Sequence, residues 1–290
     1  MNNARDRLIH IHHCHGVGWK TIRAMLQDDP TLQKIYSYST ADLKEKYLMN
    51  EKQASLFHQD LRNEKILYQI EKYPEKLISM LTIFDNDYPY LLKQIYDHPQ
   101  VLYLKGNRGL LTHSKWISIV GTRAPSPSGR EAVKMLSEPL INAGWGIVSG
   151  LAAGIDSEAH RAALEHNGKT MAVLGSGFHH IYPNENKQLA MKLTEKNLLV
   201  SEYPPNTKPE RWRFPMRNRL ISGLSTGTIV IEAKEKSGSL ITADQALDQN
   251  REVFAVPGSI FEERARGTNR LIQNGAKLVL GAEDILCELL

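Results

Sequence analysis

The stretch Phe214-Pro215-Met216-Arg217-Asn218-Arg219-Leu220-Ile221-Ser222 packs two arginines around an asparagine before an apolar run. Two guanidiniums and a carboxamide at a helix start suit phosphate oxygens, because the planar fork of arginine matches an anion bidentately. A buried ion-pair bracket to Glu202 or Glu232 accounts for the same residues. Both readings hold together if one arginine braces and the other is exposed. A second set of candidates is glycine-rich. It comprises Gly121-Thr122-Arg123, Ser149-Gly150 running on to Asp156, Gly175-Ser176-Gly177, Ser201-Glu202, and Glu232-Ala233-Lys234 with Ser237-Gly238-Ser239 through Thr242. Glycines let backbone N–H groups approach an anion, and helix N-termini add positive dipole ends. A tight turn explains any one of these loops. Five in succession, with Arg123, Lys169, Arg217, Arg219 and Lys234 nearby, point to several phosphate cradles side by side.

Catalytic signatures fail on context. Gly168-Lys169-Thr170 looks like the end of a P-loop, but Ala163 stands at its first glycine and a strand follows where a helix is needed. Gly175-Ser176-Gly177-Phe178-His179-His180 begins like a dinucleotide fingerprint. Its third glycine is replaced by His180, and Tyr182-Pro183 prevents a helix from starting there. Gly223-Leu224-Ser225-Thr226-Gly227 spells a nucleophile elbow with the strand on the wrong side. The run His10-Ile11-His12-His13-Cys14-His15 lacks a carboxylate or second cysteine to complete a tetrahedral metal site, so solvated histidines at a helix end are expected. Asp156, just inside a helix start, needs only a role in the first turn or in bracing the loop. No metal, cofactor or catalytic residue is expected. The aromatic Phe178 stands in a polar loop at a strand's carboxyl end, where it is expected to stack on a base or to pack beneath the loop as local core.

These residues need a scaffold that gathers them. Strands are predicted at Trp116–Val120, Gly146–Ser149, Thr170–Leu174, Leu198–Ser201, Thr228–Ile231, Glu252–Val256 and Lys277–Leu280. Helices fit at Gly129–Ala143, Ile155–Asn167, Asn184–Glu195, Leu240–Gln249 and Thr268–Asn274. Continuous apolar strands alternating with helices predict an α/β fold whose mostly parallel, doubly wound sheet is covered on both faces. In such a sheet the loops at the strands' carboxyl ends form the ligand crevice. Residues 1–75 read as a small N-terminal all-α domain and 76–290 as an extended Rossmann-like domain, Met80–Gly106 being taken as an extension of the sheet.

The bulk numbers exclude more than they identify. Of 290 residues 41% are hydrophobic and 23% charged, as in ordinary globular proteins. Apolar runs are strand-sized, the start Met1-Asn2-Asn3-Ala4-Arg5-Asp6 has no apolar core of a signal peptide, and two cysteines make no disulfide framework. A cytoplasmic protein without a membrane partner is expected. A net charge of +4 tilts toward a polyanionic partner without deciding it.

Taken together the motifs resemble the DprA/Smf family. The elements are Ile119-Val120-Gly121-Thr122-Arg123, Val148 to Asp156 with Ala159-His160, Gly168-Lys169-Thr170 into Val173-Leu174-Gly175, and Tyr182-Pro183. They continue through Ser201-Glu202, Phe214-Pro215 with Arg217-Asn218-Arg219, Glu232-Ala233, Ser237 to Thr242, Val256-Pro257-Gly258 and Gly267-Thr268-Asn269 to Gly275-Ala276. They cover roughly residues 80–285 in order. The resemblance implies a single-stranded DNA-binding protein that loads the RecA recombinase during natural transformation. Gly121, Thr122, Arg123 and Lys169 would be the main phosphate contacts, and Lys234, Ser237, Gly238 and Ser239 would complete the pocket. The expected partners are single-stranded DNA, RecA, a second copy of the chain, and single-strand-binding protein. Some relatives continue into a winged helix, which is expected to be absent here. Cys14-His15-Gly16-Val17-Gly18-Trp19-Lys20 resembles a helix–hairpin–helix turn, or equally a plain helical hairpin. The rival reading is an enzyme similar to nucleotide phosphoribohydrolases of the "lonely guy" class, since Gly223–Thr228 precedes Glu232, but their arginine–glutamate arrangement is incomplete here.

Overall fold

The computed structural model describes Asn3–Leu289. Met1 and Asn2, the first residues of the polar start, and Leu290, the last of the predicted second domain, lie outside the described residues. The chain divides into two compact units, one running to Tyr88 with Pro99–Leu104, the other Pro89–His98 with Lys105 onward.

The first unit opens with five α-helices: α1 (Ala4–His13), α2 (Trp19–Asp28), α3 (Thr40–Tyr47), α4 (Glu51–Asp60) and α5 (Glu64–Glu71). Their starts are set locally. Ser39 and Asn50 each close a capping box, with Asp42 and Gln53 returning the bond to the cap. Leu8, Ile11, Met25, Leu43 and Phe57 are fully buried in this unit. The turn from Cys14 to Gly18 joins α1 to α2 as a helical hairpin, and Gly16 (φ +86) lies so close to the Gln53 carbonyl that no side chain fits there. The histidines of α1 depart from expectation. His10 stacks on Tyr36, and His12 and His13 contact Tyr103, with His13 Nε2 also 3.1 Å from the Tyr73 hydroxyl. Burial pushes His10 and His13 down to about 4 and His12 to about 3. They are packing groups of an aromatic cluster rather than solvated side chains; only His15 is exposed, beside Asp60. Among the described residues no cluster of three metal-ligating side chains exists.

β1 (Ile78–Thr82) and β2 (Val101–Gly106) are neighbours in the sheet. The second unit holds β3 (Trp116–Val120), β4 (Gly146–Ser149), β5 (Thr170–Leu174), β6 (Leu198–Ser201), β7 (Gly227–Val230), β8 (Glu252–Ala255) and β9 (Lys277–Leu278). They run parallel in the order β6-β5-β4-β3-β7-β8-β9. The chain thus winds outward from β3 in one direction, then returns to lay β7 against the other side of β3, with Ile119 opposite Ile229. Helices cover both faces. α7 (Pro127–Asn142), α8 (Ile155–Glu165) and α13 (Ala282–Leu289) lie over one, burying Ile117, Ile147, Ile229 and Phe254 against Leu136, Ala159 and Ile285. α9 (Lys187–Lys196) packs on β5, β6 and α8. α10 (Arg213–Gly223) and α11 (Gly238–Asp248) pack on each other and on β5, β7 and β8. α6 (Tyr90–Lys93) and α12 (Arg266–Gln273) complete the unit. The fold is an extended Rossmann-like α/β sheet with an all-α N-terminal part. Among the described residues no helix is long and apolar enough to cross a membrane.

Candidate nucleic-acid interface

The winding of the sheet reverses between β3 and β7, and at such a switch point the loops leaving the two strands diverge and open a crevice at their carboxyl ends. Here it has a volume of about 700 Å³. Gly121-Thr122-Arg123 enters from β3, while Lys234 to Ser239 enters from the β7–α11 connection. Arg123, Arg211, Arg217, Lys234 and Lys236 line it against Asp156 and Glu210, five cations to two carboxylates. An excess of like charge in a walled cleft focuses the field and favours an anionic ligand. Arg123 is exposed and has no hydrogen-bond or ion-pair partner among the described residues. Lys234 meets Glu263 at 2.8 Å, but both side chains are more than half exposed, so the pair is weak and exchangeable.

The floor is braced rather than open. Arg217 is buried and donates through Nη1 to the carbonyls of Gly150 and Val173, and through Nε to Asn218 Oδ1 at 3.1 Å. Burial pushes its guanidinium down to about 10 against the pull of Asp156. Asn218 passes the bracing on, its Nδ2 donating to the Gly238 carbonyl at 3.2 Å. A side chain at Gly150 would stand 2.6 Å from the Arg217 guanidinium, so this glycine exists to let the arginine through. Gly154 (φ +79) similarly lets the β4–α8 loop approach the Thr122 carbonyl. Asp156 accepts from the N–H of Gly150 at 3.1 Å and of Ala152 at 3.4 Å. Those two amides are therefore committed to a carboxylate rather than offered to a ligand. Burial pushes the Asp156 carboxyl up, opposed by Arg217, the two N–H donors and Arg123. Ser237 caps α11, its hydroxyl 2.7 Å from that of Ser239.

Several predicted site residues lie elsewhere. Lys169 immediately precedes β5 and its carbonyl accepts from Ile147 N–H, which puts it at the amino ends of the strands. There its ammonium lies 3.1 Å from His113 Nδ1, at the sheet edge opposite the crevice. Arg219 is a brace. Its Nη1 and Nη2 donate to the two oxygens of Glu202 at 2.8 and 2.7 Å, and Nε stands 2.8 Å from Asp97 Oδ2. Neither arginine of the Arg-Asn-Arg stretch is exposed. Ser149 is buried and donates to the Ile119 carbonyl at 2.6 Å, tying β4 to β3. Phe178 is buried and packs as local core, so it presents no face to a base. Gly175 backs onto the Phe214 ring.

The aromatics that do reach the crevice are Tyr182, 49% exposed, and Phe214, their ring centres 5.4 Å apart. Each stands directly before a proline, Tyr182 in the loop after β5 and Phe214 in the first turn of α10, and that shared Tyr-Pro and Phe-Pro pairing was the available signal. Arg211 and Lys236 were likewise missed: Arg211 adjoins no glycine-rich turn, and Lys236, one residue before Ser237-Gly238-Ser239, was passed over in favour of Lys234. Glu232, the candidate glutamate of a phosphoribohydrolase, accepts from Ser126 N–H at 3.0 Å and from its hydroxyl. It thereby fixes the start of α7, and its carboxyl fills the space beside Gly129.

Comparisons with known proteins agree with this architecture. A model of the family "DNA recombination-mediator protein A" matches residues 79–290. The chain is 47% identical to DNA processing protein DprA of Bacillus subtilis over 93% of its own length and 88% of the relative's. It is 46% identical to DNA processing protein DprA of Streptococcus pneumoniae over 76% of each chain. The X-ray structure of the Streptococcus pneumoniae protein superposes with a TM-score of 0.86 at 36% identity, covering 99% of this chain and 98% of that one. The Helicobacter pylori DNA processing protein A, whose structure was described for its single-stranded DNA binding mode, superposes with a TM-score of 0.66 at 30% identity. It covers 73% of this chain and 95% of its own.

Proposed function

Because the chain belongs to the DNA recombination-mediator protein A family, the DprA/Smf family, we propose that it binds single-stranded DNA in the crevice between the β3 and β7 loops and loads RecA onto it during natural transformation. The observation that carries the binding is the cluster of five cations around two carboxylates at the switch point, with Arg123 unpaired. Phosphate contacts of this kind are independent of sequence and easily exchanged, which suits a protein that must hand its strand on. Gly121, Thr122, Arg123, Lys234 and the Ser237-Gly238-Ser239 cap are the contact residues, while Arg217 and Asn218 hold the floor in shape. The protein works in the cytoplasm, as a pair of copies and without turnover of its own, on strands that single-strand-binding protein has coated.

Fluorescence anisotropy with labelled oligonucleotides at several salt concentrations tests the binding. Arg123→Ala lowers the slope of log affinity against log salt by about 0.7, the value for one phosphate contact on a single strand. Lys169→Ala, at the opposite edge, leaves the slope unchanged. A folded Arg123→Ala variant that binds like the parent refutes the crevice as the DNA site. For loading, the protein is added to RecA and a strand coated with single-strand-binding protein, and filament formation is followed. No acceleration at any ratio refutes the mediator role. Hydrolysis of a nucleoside monophosphate by the protein alone refutes the absence of turnover.

A further inference from the structure

An open cavity of about 400 Å³ adjoins the crevice at Arg123 and lies over the first turns of α7 and α8. Small residues make its floor, among them Ala124, Ala153, Gly154 and Ser157. Three arginines stand around it, Arg123 from the β3 loop, Arg130 from α7 and Arg161 from α8, with Glu158 and Glu185 as its carboxylates. Past Arg161 and Glu185 a further hollow of about 320 Å³ follows between α8 and α9, bordered by Lys192. We propose that a strand held in the crevice continues across Arg123 onto this α7–α8 face, where Arg130 and Arg161 are further contacts for its phosphates. The inference rests on the DNA-binding reading and adds to it the course of the strand outside the crevice.

Three observations carry it. The first is the state of the arginines. Arg130 is exposed, and its side chain has no hydrogen-bond or ion-pair partner among the described residues. Arg161 donates to Glu158 at 2.9 Å and to the Ser157 hydroxyl at 3.4 Å, but its side chain is 45% exposed, so that pair is weak and exchangeable. A phosphate offers each guanidinium the better-matched acceptor. The second is that the face is preformed. Ser126, the cap of α7, is fixed by Glu232 through its N–H and its hydroxyl, and its carbonyl accepts from Arg130 N–H at 3.1 Å, so Arg130 projects from a rigid turn. A side chain at Gly154 (φ +79) would stand 2.4 Å from the Thr122 carbonyl oxygen, so the β4–α8 turn lies flat against the β3 loop and leaves no bulk between Arg123 and Arg161. The third is continuity. Arg123 belongs to the crevice and to this cavity, and Arg161 to this cavity and the next. A strand leaving the crevice thus meets a cation at each step, which is how a charged groove tracks a flexible backbone without reading its sequence. Glu185, exposed and also without a partner among the described residues, sets one negative charge against it.

The test binds two thymidine oligonucleotides to the intact chain across a salt series, one of about 4 nucleotides and one of about 16, the span of single-strand site sizes. Arg130→Ala should take about 0.7 off the slope of log affinity against log salt on the longer strand, the share of one phosphate contact. It should leave the slope unchanged on the shorter strand, which the crevice alone accommodates. Arg130→Lys should keep the parent's slope, because an ammonium neutralises a phosphate as a guanidinium does. Glu185→Gln should bind the longer strand more tightly, by up to about fivefold, the ratio to which an exposed charge pair corresponds. Both side chains are exposed, so the melting temperature should stay in place. If Arg130→Ala keeps the parent's slope on the longer strand while Arg123→Ala still loses about 0.7, the continuation is overturned and the crevice reading stands. Equal losses on both strands also overturn it, because they place Arg130 inside the crevice, and so does a Glu185→Gln variant that binds no more tightly than the parent. Unchanged slopes for Arg123→Ala and Arg130→Ala alike overturn the DNA reading itself.

Discussion

Replacing Arg219 by methionine should unfold the second unit well below the parent's melting temperature while leaving the crevice chemistry alone. Arg219 is 2% exposed and holds two carboxylates at once, Glu202 through two bonds of 2.7–2.8 Å and Asp97 at 2.8 Å. Burial alone pushes its guanidinium toward neutrality, but Glu202 and Asp97 outweigh that and raise its pKa. Methionine fills similar volume and removes the charge, so two partly buried carboxylates are left facing each other. Breaking a buried pair from one side costs about 3–5 kcal/mol. For a unit of this size, each kcal/mol moves the midpoint by about 2–4 °C, which gives a fall of about 6–20 °C. Urea unfolding followed by circular dichroism should show a lower midpoint with an unchanged slope, since the surface exposed on unfolding is the same. Neutralising the partners too, as in Arg219→Met with Glu202→Gln and Asp97→Asn, should recover part of the loss. An unchanged midpoint, or weaker binding of an oligonucleotide by a variant as stable as the parent, refutes the reasoning and returns Arg219 to the contact surface.

Phe178→Ala should lower stability by about 3–5 kcal/mol and spare DNA affinity at temperatures where the variant is folded; weakened binding at unchanged melting temperature would place the ring against a base. Gly150→Ala sets a methyl 2.6 Å from the Arg217 guanidinium and should weaken binding as well as lower the melting temperature, and a silent substitution would show that the Arg217 brace is dispensable. The histidines of α1 predict a pH dependence. Their folded pKa values, about 3 to 4, lie below the ordinary 6.5, so the unfolded chain takes up protons first. Their contribution to stability is full above pH 6.5 and is lost as pH falls toward 4. Thermal melts of the first unit's tyrosine signal that stay flat across that window contradict the burial.

The strands of the second unit were legible almost to the residue, because a sheet covered on both faces demands continuous apolar runs. β3, β4, β5 and β6 begin and end where their runs do, and β7 is displaced by one position at Gly227. The position of the crevice followed from the same pattern, since Arg123 and Lys234 each leave the carboxyl end of a strand. Side-chain direction was not legible. Arg217 and Arg219 look alike in a string, and only the packing of α10 against β5 shows that both turn inward. Lys169 illustrates a different limit. It is next to a strand and close to glycine, but it precedes the strand where a crevice residue must follow one. The α1 histidines were misread because polarity was taken for exposure, whereas their partners Tyr36, Tyr73 and Tyr103 come from distant segments.

The two loops that face each other across the crevice, one leaving β3 and the other leaving β7, belong to the two arms into which the sheet is wound. Any ligand that touches both acts as a clasp on the whole second unit, because neither loop can leave without the arm behind it. Occupancy therefore feeds back on unfolding: at a hundred times its dissociation constant, a ligand specific to the folded state adds about 2.7 kcal/mol. A protein with a strand bound should thus be harder to melt, and harder for a protease to open, than the same protein without one.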